Sequence, residues 1–287
     1  MKFFEYDQSG RRGIGVALAD GTWAGRHEDD PAYPGSLMSL ISGGAAVRRQ
    51  AFATLAKGVP VDLGAVTVLP PLSSPGKILC VGLNYRAHAF ESNVAPPDHP
   101  TIFARFASSL IGHGAAIVRP RLSAHFDYEG ELAVVIGSRG RHIPRSRALE
   151  HVAGYSVFND VSVRDIQLRT SQWTLGKNFD GTGAFGPAFV CAEGLPQGAA
   201  GLRLVTRLNG AVMQDGRTDD MIFDVATLVA ELSACMTLMP GDVIITGTPS
   251  GVGQSRKPPV FMKAGDVCEV EIEGIGTLRN VVVDEAE

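Results

Sequence analysis

Glycine and proline punctuate this sequence so densely that it favours turns and short elements over long helices: 34 glycines and 17 prolines fall within 287 residues. The apolar fraction of 45% and charged fraction of 20% support a buried core and argue against a disordered chain. A chain of this length buries roughly three quarters of its unfolded surface. That suits one large domain, or a large domain with a small companion. The formal charge of -4 comes without basic blocks or interleaved aromatic and basic residues, so no nucleic-acid partner is expected. No apolar run reaches the roughly 20 residues of a membrane helix. Charges follow each short apolar run at the start, so neither membrane attachment nor a signal peptide is expected. Cys80, Cys191, Cys235 and Cys268 are widely spaced and read as free, buried thiols in a reducing cytoplasm.

Two short strands open the chain, separated by a polar turn containing Gly10. Ser36 is placed to begin one helix, and strong helix formers predict another over 45–57. A returning strand is expected over 61–69, before Pro71-Leu72-Ser73-Ser74-Pro75-Gly76. That segment is the best boundary: a small amino-terminal α+β domain, 1–72, and a catalytic domain, 73–287. Beyond it, strands are expected at 77–81, 101–106, 115–118, 128–136, 152–158 and 185–191, and later at 242–246, 267–273 and 278–283. Asn209-Gly210 signals a hairpin. Asp224 is a helix cap ahead of Val225, Leu228, Val229 and Leu232. This order is not a regular βα repeat. It predicts a mainly β chain with α (α+β), built on a rolled sheet or sandwich.

The segment Phe126-Asp127-Tyr128-Glu129-Gly130-Glu131-Leu132-Ala133-Val134-Val135-Ile136-Gly137 carries the chemistry. If extended, it sets Glu129, Glu131, Ala133 and Val135 on one face and Leu132, Val134 and Ile136 on the other. Adjacent glutamates on a strand that turns apolar on both faces are costly unless they stay solvated or share a cation. A hard divalent ion such as Mg²⁺ or Mn²⁺ meets that cost with oxygen ligands. The other reading is two acids facing solvent. Asp160 follows the apolar run Val157-Phe158 and offers a third ligand, or a turn cap. Arg164 and Asp165 read equally as structural ion pairs.

The chain resembles the fumarylacetoacetate hydrolase family. The resemblance rests on Gly82-Leu83-Asn84-Tyr85-Arg86-Ala87-His88-Ala89-Phe90-Glu91, Asp127-Tyr128-Glu129-Gly130-Glu131-Leu132 and Asn159-Asp160-Val161-Ser162-Val163-Arg164-Asp165-Ile166-Gln167. Trp173-Thr174-Leu175-Gly176-Lys177-Asn178-Phe179-Asp180 follows, then Pro240-Gly241-Asp242 and Gly247-Thr248-Pro249-Ser250-Gly251-Val252-Gly253, so that the match spans nearly all of 75–283. It implies a rolled mixed β-sheet catalytic domain that binds Mg²⁺ or Mn²⁺ through Glu129, Glu131 and Asp160. It also implies a water-activating dyad of His88 and Glu91 on a short helix, where positions i and i+3 share a side. Lys177 matches an active-site lysine, and Gln167 and Thr248 match substrate contacts. Arg105 is a candidate clamp for a substrate carboxylate, where many relatives place lysine. A homodimer is implied too.

The expected reaction is metal-dependent hydrolysis of a carbon–carbon bond in an acylpyruvate or related 2,4-dioxo acid, in the cytoplasm. The same scaffold supports oxaloacetate-type decarboxylation, isomerisation of 2-hydroxy-diene-dioates and hydrolysis of diketo-deoxy sugar acids. A non-enzymatic metabolite-binding protein is the alternative outside enzymology. The glycine-rich loops at 181–187 and 247–253 lack the contexts of phosphate or dinucleotide sites.

Overall fold

The strand Gly130–Ile136 is buried along its whole length, and its alternating side chains enter two different cores. Leu132, Val134 and Ile136 belong to one, Ala133 and Val135 to the other. A strand apolar on both faces needs cover on both. The computed structural model, which describes residues 1–91, 95 and 97–286, shows how each face is covered. On the first, a five-stranded sheet contributes Leu204, Val270, Ile272 and Leu278, and the helix Val225–Cys235 adds Val225, Leu228, Val229 and Leu232. Asp224 caps that helix by accepting from Thr227 N–H, as the sequence predicts. On the second face, the helices Leu37–Ser42 and Gly44–Leu55 contribute Leu37, Leu40, Ile41, Ala51 and Leu55. Ser36 caps the first of these through Ser39 N–H.

The main sheet has twelve strands. Its central order runs Lys2–Gln8, Gly183–Cys191, Val152–Asp160, Gly130–Ile136, Val243–Ile245, Ile78–Gly82 and Thr101–Arg105. Neighbours in this run are antiparallel except Val243–Ile245 and Ile78–Gly82, which pair in parallel. The architecture is mainly β with α, as expected. The strands of the expected amino-terminal unit, 1–72, are continuous with this sheet: Lys2 pairs with Val190 and Phe3 with Phe189. Its helices share a core with Ile78, Ala133 and Val135.

The expected strand over 61–69 is cut short. Asp62 accepts from Gly64 N–H and winds Leu63–Ala65 into a 3-10 turn, leaving Thr67–Val68 as the strand. Among the described residues, no helix is long and apolar enough to cross a membrane. The four cysteines are free; Cys235 is exposed, and the other three are buried.

Gly130, between the two glutamates, is where the two sheets come closest to the site. A Cβ there would lie 2.3 Å from Thr206 Oγ1 and 2.9 Å from Val270 Cγ1. Gly130→Ala is therefore expected to lower unfolding stability by about 1–3 kcal/mol, the usual range for overpacking. An unchanged urea midpoint would contradict this close approach.

Candidate active site

Glu131 projects from the strand Gly130–Ile136, Glu129 precedes that strand, and Asp160 ends its antiparallel neighbour Val152–Asp160. The register pairs Glu131 with Phe158 and Gly130 with Asn159, and Asp160 N–H donates to Glu129 C=O at 2.8 Å. The three buried carboxylates then offer oxygens that all lie within 4.8 Å of one another.

Three cations surround them. Arg164 donates to Glu129 Oε1 at 2.6 Å and to Asp127 Oδ2 at 2.8 Å. Lys177 Nζ reaches Glu129 Oε2 at 2.6 Å and Asp160 Oδ2 at 2.7 Å. Arg105 donates to Asp160 Oδ1 and to Thr182 Oγ1. The acids Asp127, Glu129, Glu131 and Asp160 thus outnumber the bases Arg105, Arg164 and Lys177 by one. Glu131 is the acid left over. Among the described residues it makes no ion pair, and its carboxylate accepts from Gly247 N–H.

The protonation tendencies follow from that imbalance. Burial, then the charges of Asp160 and Glu129, push the Glu131 carboxyl well above its ordinary pKa. Burial also works against the charged form of Glu129, but Lys177 and Arg164 outweigh it and hold that group at about 2. For Lys177, burial favours the neutral amine, yet Asp160 and Glu129 overcome it and raise the pKa. Three clustered carboxylate oxygens with one uncompensated acid fit a hard divalent cation. Glu129, Glu131 and Asp160 are the residues that would hold it, and the all-oxygen set suits Mg²⁺ or Mn²⁺.

A cavity of about 380 Å³ opens beside this cluster, and its lining includes His88, Glu129, Glu131, Gln167, Lys177 and Thr248. Six of the nine residues singled out in the sequence thus share one space. His88 Nδ1 lies 3.2 Å from Glu91 Oε2 on the helix Arg86–Glu91. A carboxylate can only accept, so an ionised Glu91 directs the Nδ1 proton to itself and leaves Nε2 as the basic nitrogen. Glu91 also accepts from Gly251 N–H at 3.0 Å, tying the dyad to the 247–253 loop. Gln167 Oε1 accepts from Arg164 at 3.1 Å, and Thr248 Oγ1 donates to Gly130 C=O at 2.9 Å.

Arg105 lies elsewhere. It is buried behind Asp160, its guanidinium is engaged by Asp160, Val161 C=O, Thr182 and Ser109, and it is absent from the cavity lining. Its observed task is to orient a cluster carboxylate.

Two further residues emerge from the geometry. Arg164 lines the cavity and does not pair with Asp165, whose carboxylate accepts from Ser123. Asp127 is wholly buried and accepts from the N–H groups of Tyr128, Gly253 and Gln254 as well as from Arg164. It joins the strand, the substrate-facing arginine and the loop bearing Val252 and Gln254. The Asp127-Tyr128-Glu129 run was the available signal, but nothing local shows that the first acid points at a loop over a hundred residues away.

Known proteins are similar to this chain in sequence and in fold. The sequence profile described as fumarylacetoacetate (FAA) hydrolase C-terminal matches residues 77–283. The Homo sapiens protein named oxaloacetate tautomerase FAHD2A, mitochondrial, is 45% identical over 257 residues, covering 88% of this chain and 82% of that protein. Fumarylacetoacetate hydrolase from psychrophilic Exiguobacterium antarcticum superposes with a TM-score of 0.87 at 39% identity, over 99% of this chain and 100% of that one. Maleylpyruvate hydrolase from Sphingobium sp. SYK-6, solved with manganese(II) and pyruvate, gives a TM-score of 0.81 at 27% identity, over the full length of both chains.

Two outcomes follow from the site. A cation that binds Glu131 competes with protons for a carboxylate whose pKa is raised by burial and by Asp160 and Glu129, so affinity rises with pH. The apparent Mn²⁺ affinity should fall by up to about tenfold per pH unit below the raised pKa. Calorimetry across neutral pH, in buffers of differing ionisation enthalpy, measures the proton released. Asp127→Asn removes a charge-assisted partner from Arg164, a contact of about 1.5–3 kcal/mol. It should raise KM about tenfold or more while Mn²⁺ affinity stays within a few-fold, and an unchanged KM would show that Asp127 does not position the site.

Proposed function

The chain belongs to the fumarylacetoacetate hydrolase family, and we propose that it is a Mg²⁺- or Mn²⁺-dependent enzyme acting on enolisable 2-oxo acids, with hydrolysis of the C3–C4 bond of an acylpyruvate as its reaction. The observation that carries this reading is His88, hydrogen-bonded to Glu91, which lines the same cavity as Glu129 and Glu131. A base in that position has a use only if a proton must move beside the acid-rich end. A divalent ion held by Glu129, Glu131 and Asp160 would supply fixed positive charge against the negative charge that develops on the 2-oxo group.

The protein's own groups divide the remaining work. His88, its Nδ1 proton directed at Glu91, takes a proton from water through Nε2. The resulting hydroxide adds to the C4 carbonyl. When the C3–C4 bond breaks, its electron pair stays with the three-carbon fragment as the pyruvate enolate, and the other fragment leaves as a carboxylic acid. The proton on His88 then passes to C3, giving pyruvate and restoring the base. Lys177, kept cationic by Glu129 and Asp160, balances the enolate's charge. Arg164 and Gln167, bonded to each other, offer donors for the substrate's C1 carboxylate.

A second reading has its own support. The relative that is 45% identical is named an oxaloacetate tautomerase, and tautomerisation needs only a proton moved between C3 and the 2-oxo oxygen. It uses the same enolate and the same base, without water addition.

His88→Gln separates these readings from a binding role. Hydrolysis of acylpyruvates, followed as pyruvate release, should fall by about 10²–10⁴-fold with Mn²⁺ affinity nearly unchanged. Normal pyruvate release by the variant would remove His88 from the mechanism. If the native protein speeds loss of the enol form of 2-oxo acids but releases no pyruvate from acylpyruvates, tautomerisation is the reaction. If it does neither, the chain is not an enzyme of this kind.

A further inference from the structure

We propose that this site selects 2-oxo acids whose far end is neutral and apolar, an aliphatic or aromatic group, over those that end in a second carboxylate. The inference rests on the reading of the site as one for 2-oxo acids and adds what its other end accepts.

The cavity lining combines two kinds of residue. Its charged floor holds Glu129, Glu131, Arg164 and Lys177, whereas Val81, Phe103, Leu168, Trp173 and Val252 supply an apolar wall. That wall starts close to the floor: Lys177 Nζ lies 5.2 Å from the centroid of the Phe103 ring. Phe103 packs against Trp173 with centroids 5.6 Å apart and planes at 68°. Trp173 in turn depends on Gly82, where a Cβ would lie 2.1 Å from the indole Cζ3. Glycine at the end of the strand Ile78–Gly82 thus makes room for an indole face, which extends the wall begun by Phe103.

Besides His88, the basic side chains of the lining are Arg164 and Lys177, and both belong to the carboxylate floor. Arg164 and Lys177 each lie 2.6 Å from a Glu129 oxygen, and His88 is engaged by Glu91 at 3.2 Å. The other polar residues towards the 251–255 loop, Gln254 and Ser255, are uncharged. A second carboxylate lodged against Trp173 would lose its hydration, while Arg164 and Lys177 are already held by Glu129. An alkyl or aryl group there gains apolar burial instead, about fourfold in affinity for each methylene. This expectation departs from the dicarboxylate in the name of the tautomerase relative.

The test is calorimetric titration of the native, Mg²⁺-loaded protein with unbranched 2-oxo acids from pyruvate to 2-oxooctanoate, alongside 2-oxoglutarate and 2-oxoadipate. Kd should fall about fourfold with each methylene until the wall is filled. Each dicarboxylate should bind at least about tenfold more weakly than the monoacid of equal length. The chain contains 2 tryptophans, Trp23 and Trp173, so in a Trp23→Phe variant the remaining indole reports whether the longer acids reach the wall. A Kd independent of chain length, dicarboxylates that bind as well as monoacids, or longer acids that leave Trp173 fluorescence unchanged would each overturn the proposal. If pyruvate binds in those cases, the 2-oxo acid reading survives. If none of the acids binds, both fall together.

Discussion

The structure is organised around an excess of negative charge that it has buried. Asp127, Glu129, Glu131 and Asp160 are buried together, and among the described residues Arg105, Arg164 and Lys177 are the bases that pair with them. Isolated buried carboxylates are untenable in a low-dielectric interior. The fold therefore surrounds each of the first two and Asp160 with donors, and leaves Glu131 as the one acid with a vacancy in its charge balance. Orientation of these carboxylates is set from behind, by Arg105 on Asp160 and by Asn159, whose side chain accepts from Glu129 N–H. Such outer partners govern metal sites as much as the ligands do.

The same strand that ends in this cluster also builds the rest of the molecule. Its two-residue alternation sends Leu132, Val134 and Ile136 towards one core and Ala133 and Val135 towards the other. A slip of one residue would exchange these sets and move Glu131 into the space of Leu132, so core packing and ligand placement enforce a single register. Gly130 serves both tasks, because the second sheet closes down over the one position between the glutamates that lacks a side chain.

Much of this was legible from local pattern. The alternation around Glu129 and Glu131, the Ser36 and Asp224 caps, and the Asn209-Gly210 hairpin each depend on residues a few positions apart. What escaped depends on distant partners. Arg105 reads locally as a basic residue ending an apolar strand, and only the approach of Asp160, 55 positions away, turns it inward. Arg164 stands beside Asp165 in the chain but pairs with Asp127 and Glu129 in space. Proline and serine at 70–75 mark a break in composition, yet the pairing of Phe3 with Phe189 crosses it, and no local signal records that.

That pairing has a consequence for anyone who would trim the chain to its family-matching portion. Without the first 72 residues, the strand Gly183–Cys191 would lose the pairing of Phe189 and Val190 with Phe3 and Lys2, and the core that holds Ala133 and Val135 would lose Leu40 and Ile41. A flat, apolar edge with free N–H and C=O groups is a template for self-association. The opening segment therefore covers both an edge and a core face of the main sheet, and excision at the proline-rich break would expose them.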